Sequence, residues 1–272
     1  MRIAPFVAAS MFALSLNACG FLDAIAEQKG EQALDVAGPV EVHVATFNGS
    51  VAVARGPAGR VSVTWTKRGS GPTQKDAEAD LENVEVRVAS EGGRVRVAAR
   101  RTDGRSSGSS GASFVVTVPA ETPLKLQSSN GSLAARGVGA AVNAQTSNGA
   151  IRVEAGAGPV EARTSNGSVE VSGEGLRLSV ESSNGSLRID GSLADGSHTL
   201  RTENGRIEVA LPAAARFRLL AHTSNGRVTC DFPLAGGEWS GRSELEGSAG
   251  ADPKATLTLA TSNGAIHLRR RG

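Results

Sequence analysis

The sequence predicts an all-β fold: a β-solenoid of the single-stranded β-helix type, with roughly 18 to 21 residues per coil and a Ser-Asn-Gly corner in each coil. Three observations lead there. Asn-Gly pairs recur at Asn48, Asn130, Asn148, Asn166, Asn184, Asn204, Asn225 and Asn263, with gaps of 82, 18, 18, 18, 20, 21 and 38 residues. Hydropathy alternates with a period of two on both sides of each pair, as in strands with one buried face. The composition has 34 Gly against seven Phe, two Trp and no Tyr among 272 residues, too little bulk for one thick core.

Alignment on the Asn assigns a task to each position. Two residues before it stand Thr46, Ser128, Thr146, Thr164, Ser182, Thr202, Thr223 and Thr261, hydroxyl-bearing in every copy. Three residues after it stand Val51, Leu133, Ile151, Val169, Leu187, Ile207, Val228 and Ile266, apolar in every copy. Asn-Gly is a strong hairpin signal, so eight hairpins in an antiparallel barrel or sandwich are one solution. Hairpins do not explain why all copies are alike. Corners stacked in register do, because identical Asn side chains can hydrogen-bond along a ladder, hydroxyls can pair beneath them and Gly permits the bend. The solenoid is therefore the favoured fold, and the 82- and 38-residue gaps read as near multiples of its period.

Along the chain, residues 1–18 have the layout of a secretory signal: Arg2, an apolar stretch too short to span a bilayer, then Leu16-Asn17-Ala18-Cys19. The end of this segment resembles the lipobox of bacterial lipoproteins, which implies cleavage before Cys19 and acylation of that residue. The plainer alternative is ordinary cleavage near Ala18 or an uncleaved anchor. Residues 19–38 carry Glu27, Lys29, Glu31 and Asp35 without strand alternation and read as the lipidated Cys and a tether with some helical character. Residues 39–272 form the solenoid. A variable insert occupies about 67–113, with helix-forming composition over 73–83 and a flexible Ser/Gly loop over 105–113. Strand-like runs cover 61–65, 84–88, 95–99 and 114–118. Four residues after successive Asn, Arg152, Glu170, Arg188 and Glu208 alternate in sign, which parallel coils would place side by side.

The order of these pieces resembles the bacterial "putative adhesin" family of unknown function called DUF4097. The resemblance rests on Phe47-Asn48-Gly49, the run Thr64-Trp65-Thr66-Lys67-Arg68-Gly69, the acidic piece over 76–83 leading into Val84-Glu85-Val86, Val116-Thr117-Val118-Pro119, and the Ser-Asn-Gly array. It implies an all-β solenoid-like domain displayed at the bacterial envelope and supplies no activity. Some members are associated with envelope stress responses.

Chemistry is sparse. With Cys19 acylated, only Cys230 remains; it shares a strand face with Val228 and Phe232 and reads as a buried, inert thiol. His43, His198, His222 and His267 have no metal-ligand spacing and read as solvated surface residues. No phosphate-binding glycine loop or calcium nonapeptide is present, so no cofactor is expected. The charge balance, 29 Lys plus Arg against 27 Asp plus Glu, gives no footprint for nucleic acid. Glu154 and Asp190 share one repeat position two coils apart, the one pair from which a polysaccharide-cleaving enzyme could be built. The expected function is non-catalytic: a lipid-anchored protein of the bacterial cell envelope, facing the periplasm or outer membrane in a Gram-negative host. Its solenoid is expected to serve as scaffold or interaction surface for an envelope protein or glycan. A sensor or regulatory module of an envelope stress response is the alternative.

Overall fold

Alternation of small apolar and polar residues on either side of a repeated corner leaves each coil unable to bury its own inner face, so coils must stack. A computed structural model describes residues 10–12, 23–104, 109–156, 158–240 and 242–271, in two compact units, Met1–Gly131 and Ser132–Gly272. Both are built almost wholly of strands.

In the second unit each coil contributes one strand that runs into the Asn-Gly corner and one that leaves it. The entry sheet stacks Val142–Asn148, Pro159–Asn166, the second half of Val169–Ser182 and Gly196–Asn204 in parallel, with Thr146 opposite Thr164 and Asn148 opposite Asn166. The exit sheet stacks Leu133–Val138, Ile151–Ala155, the first half of Val169–Ser182, Leu187–Leu193 and Ile207–Pro212, also in parallel. The pairing decides against antiparallel hairpins. Inward residues form columns one per coil, such as Ile151, Val169, Leu187 and Ile207, all at most 1% exposed. Each such side chain contributes about 1.5–3 kcal/mol through burial, which lets a thin core stand without aromatics.

Coil order departs from chain order. Ala255–Asn263 lies between Gly196–Asn204 and Phe217–Asn225, parallel to both. Ile266–Arg271 likewise lies between Ile207–Pro212 and Val228–Cys230. The 38-residue gap is therefore not two ordinary coils. It contains an excursion in which Glu244–Ala249 pairs antiparallel with Phe217–Asn225, and Ala235–Ser240 pairs outside it. Pro233, Gly250 and Pro253 punctuate that excursion between runs, and Gly236 sits at the irregularity within Ala235–Ser240.

The 82-residue gap in the first unit has the same meaning. Asn48 and Asn130 are adjacent, because Leu124–Asn130 pairs in parallel with Glu41–Asn48. On the other side of Glu41–Asn48 lie Arg94–Arg101, parallel, and then Val84–Glu91, antiparallel. The exit sheet runs from Val51–Arg55 to Gly111–Val118, then antiparallel through Arg60–Gly71, Ala24–Asp35 and Ser10–Phe12. The inserted structure is thus wider than 67–113, since strands run through both of those limits.

The expected helix is Gln74–Glu82, capped by the Thr73 side chain, which accepts from the Asp76 N–H. It lies close on Arg60–Gly71 because two glycines face it. A Cβ on Gly69 would lie 2.3 Å from the carbonyl oxygen of Ala77, and one on Gly71 would lie 2.6 Å from Cβ of Asp76. The tether reading of 19–38 is corrected over Ala24–Asp35, which is a twelve-residue strand. Its inward residues are Ala24, Ala26, Gln28, Gly30, Gln32 and Leu34, too mixed to show as alternation. At Gly30 the space of a missing side chain is taken by the Trp65 indole, whose ring atoms would lie 2.5 Å from a Cβ there. Cys19 and most of the 1–18 signal lie outside the described residues, as do residues 105–108 of the Ser/Gly loop.

Candidate functional site: the corner ladder and its charged flanks

Residues that alternate in and out along a strand meet solvent together at the corner, where Asn is exposed and the preceding hydroxyl residue is buried. In the second unit each corner Asn after Asn148 donates from Nδ2 to Oδ1 of its spatial predecessor. Asn166 donates to Asn148 at 2.8 Å, Asn184 to Asn166 at 2.9 Å and Asn204 to Asn184 at 2.9 Å. Asn263 then donates to Asn204 at 2.8 Å, and Asn225 to Asn263 at 3.0 Å. In the first unit Asn130 donates to Asn48 at 2.7 Å, and Asn48 donates to the Ser110 carbonyl at 3.0 Å. All eight Asn singled out in the sequence thus take part in a corner ladder, but the ladder follows spatial order, with Asn225 last and Asn263 interior.

The hydroxyls and glycines work differently from expectation. Five of the second-unit hydroxyls donate to backbone carbonyls, not to one another. Thr164 donates to the Gly149 carbonyl at 3.1 Å, Ser182 to Gly167 at 3.1 Å, Thr202 to Gly185 at 3.0 Å, Thr261 to Gly205 at 3.1 Å and Thr223 to Gly264 at 2.8 Å. Each buried hydroxyl therefore ties its coil to the corner backbone of the neighbouring one, and its donor is satisfied in a place water does not reach. Nor is the second-unit corner Gly needed for left-handed backbone; none of these glycines has positive φ in the disfavoured range. It is needed for close approach: a Cβ on Gly185 would sit 1.8 Å from the Gly167 carbonyl oxygen, and one on Gly205 2.0 Å from that of Gly185.

Charges flank the corners in register. Arg152, Glu170, Arg188 and Glu208 lie opposite one another along the exit sheet. Arg152 pairs with Glu170 at 2.9 Å and Arg188 with Glu208 at 3.2 Å, while Arg269 reaches Glu208 from the interleaved strand at 3.0 Å. On the entry sheet Arg163 bridges Glu161 at 3.1 Å and Glu181 at 3.2 Å. Such exposed pairs contribute roughly 0–1 kcal/mol each and act mainly on register. Glu154 and Asp190 do share a column, separated by Ser172. Each has an Arg partner, Arg136 at 3.3 Å for Glu154 and Arg271 at 3.4 Å for Asp190.

His198 overturns the surface reading of the four histidines. It is 1% exposed, its Nε2 lies 2.9 Å from the Ala194 carbonyl, and Nδ1 accepts from the Leu178 N–H at 3.4 Å. That partner set suits the neutral ring, and burial holds its pKa below the ordinary value. Cys230 is half-buried, and burial raises its thiol pKa, consistent with an inert side chain. Phe232 packs edge-on against Phe217 with ring centres 5.1 Å apart.

Sequence reasoning missed one charged cluster. In the first unit Arg101, 7% exposed, bonds Asp80 at 2.6 Å and Asp103 at 2.7 Å. Asp80 also accepts from the Ser70 N–H at 3.1 Å and from the Ser110 hydroxyl. Burial alone would raise the Asp80 pKa; these hydrogen bonds outweigh it and lower the pKa. Of these five residues only Arg101 and Asp103 are close in sequence, so folding brings Ser70, Asp80 and Ser110 to them. A polar depression of about 440 Å³ lies nearby, lined by residues including Asn48, Thr66, Arg68, Ser113 and Asn130. Among the described residues no group of three or more His, Cys, Asp or Glu could hold a metal ion, and no helix is long and apolar enough to cross a membrane.

Parallel two-strand coils, a corner ladder and shared thin cores define a β-solenoid repeat protein. The chain belongs to the Toastrack DUF4097 family, whose model matches residues 85–269. Among solved structures it is similar to a "putative cell adhesion protein" from Clostridium sporogenes, at 14% identity and a TM-score of 0.39, covering 89% of this chain and 100% of that one. It is also similar to a "putative adhesin" from Bacteroides fragilis, at 10% identity and a TM-score of 0.30, covering 89% and 97%. No curated protein sequence matches the chain.

Proposed function

We propose that this protein is a non-catalytic interaction module of the bacterial cell envelope, held at a membrane by a lipid on Cys19. The observation that carries the reading is repetition at the surface. Exposed Asn residues recur once per coil at the corners of the second unit, about 4.8 Å apart, each preceded by Ser except where Glu203 precedes Asn204, between two faces of alternating charge. A row of equal, weak polar sites at fixed spacing suits an extended partner that meets several at once, such as a glycan chain or an envelope protein, because avidity then multiplies small affinities. Ion-paired Glu154 and Asp190, each with an arginine, support a non-catalytic face over a hydrolytic one.

Crosslinking in cells followed by identification of the attached molecules tests the interaction. A glycan or envelope protein attached through the corner faces is the expected result; recovery of lipid alone overturns it. The anchor is tested separately: Cys19→Ser releases the protein from membranes, since each buried methylene of the acyl chains contributes about 0.8 kcal/mol. Unchanged pelleting of that variant in high salt would place the anchor elsewhere.

A further inference from the structure

Asn-Gly is the dipeptide most prone to deamidation, because glycine leaves its own nitrogen unshielded. That nitrogen attacks Cγ of the Asn; Nδ2 leaves as ammonia, carrying away the proton that the glycine nitrogen gives up. The resulting succinimide is opened by water to aspartate or isoaspartate. The step needs the side-chain amide to swing over the glycine nitrogen and needs water or hydroxide to reach it. Both are controlled by the ladder.

An interior Asn is held twice. Asn166, Asn184, Asn204 and Asn263 each donate from Nδ2 to one neighbour and accept at Oδ1 from another, so rotation breaks two bonds. Asn225 donates to Asn263, but among the described residues nothing donates to its Oδ1. Access differs in the same direction. Gly226 is exposed, whereas Gly167, Gly185, Gly205 and Gly264 are half-buried. We infer that Asn225 is the deamidation site of the second unit, and that the ladder is what spares the interior asparagines of chemically identical Asn-Gly sequence.

The product matters to the ladder. An aspartate at 225 turns an acceptor oxygen toward Oδ1 of Asn263 in place of a donor, and isoaspartate adds a methylene to the backbone between Asn225 and the exit strand Val228–Cys230. Either change loosens the end coil and adds a negative charge there, without reaching the interior corners.

The test is peptide mapping by mass spectrometry of the native protein held in mildly alkaline buffer. Cleavage after Lys and Arg places Asn225 in residues 219–227 and Asn263 in residues 255–269, each with a single Asn-Gly, and likewise separates Asn166, Asn184 and Asn204. The expected result is conversion of Asn225 about three- to tenfold faster than the interior four, the ratio one ordinary hydrogen bond supplies. In denaturant that ratio collapses. Equal native rates, faster conversion at Asn263, or a ratio that persists in denaturant would each overturn the inference. The variant Asn263→Ala removes the donor to Asn204 Oδ1, so Asn204 conversion rises; an unchanged Asn204 rate would also overturn it.

Discussion

At the scale of single residues, each corner position serves its neighbour more than its own coil. Replacing Asn184 with Ala removes one bond given and one received, at about 1–3 kcal/mol, while Asn225→Ala removes only one, at about 0.5–1.5 kcal/mol. Asn263→Ala groups with Asn184→Ala despite its place near the end of the sequence, and chemical denaturation of the three variants shows the order. Gly185→Ala meets backbone rather than a movable side chain, so it should cost about 1–3 kcal/mol or more and lower Tm beyond the Asn variants. His198 brings pH into the fold. Its folded pKa lies below the unfolded value of about 6.5, so its contribution is present above that pH and is lost as pH falls from there toward the folded pKa, by about 1.4 kcal/mol per unit. Denaturation midpoints at pH 7.5 and below 6 should diverge for the native protein and much less for His198→Gln.

Among elements, the repeated strands were legible because hydropathy, hydroxyl and Asn-Gly recur at one spacing, and each of these signals is local. Helix Gln74–Glu82 was legible for the same reason, with composition and a Thr cap agreeing. Ala24–Asp35 was not. Its inner face is Ala, Gly and Gln with the single Leu34, and it is packed by the Trp65 ring over Gly30 and by Ala77 and Leu81 around Ala26, contacts to residues far along the chain. The Asp80–Arg101–Asp103 cluster is non-local in the same way. Removing the cation with Arg101→Ala leaves Asp80 its hydrogen bonds from Ser70 and Ser110 but no counter-charge in a partly buried site, at about 3–5 kcal/mol at most. Asp80→Asn in that background should recover much of the loss, and urea denaturation of the double variant checks it. If the recovery is absent, packing by the Arg101 stem and not charge accounts for the cost.

For the molecule as a whole, the period in the sequence gives the coil but not the order of coils. Gaps of 82 and 38 residues look like multiples of a coil, yet both are excursions that return beside an earlier strand. No single-sequence signal separates a skipped repeat from a return path, because spatial neighbours are chosen by edge pairing between distant strands. Within the second unit this choice has a consequence in time. Phe217–Asn225 is made 38 residues before the strand that must sit between it and Gly196–Asn204, an interval of about 2–8 s at ordinary rates of synthesis. Two bare strand edges face each other until residues 255–271 slide between them. A chain cut short before residue 255 keeps both edges open, so it should show rapid amide exchange across 196–230 and aggregate where the full chain does not. The interleaved coil thus works as a keystone: the stack between Gly196–Asn204 and Phe217–Asn225 closes only once residues 255–271 have filled the slot left for them.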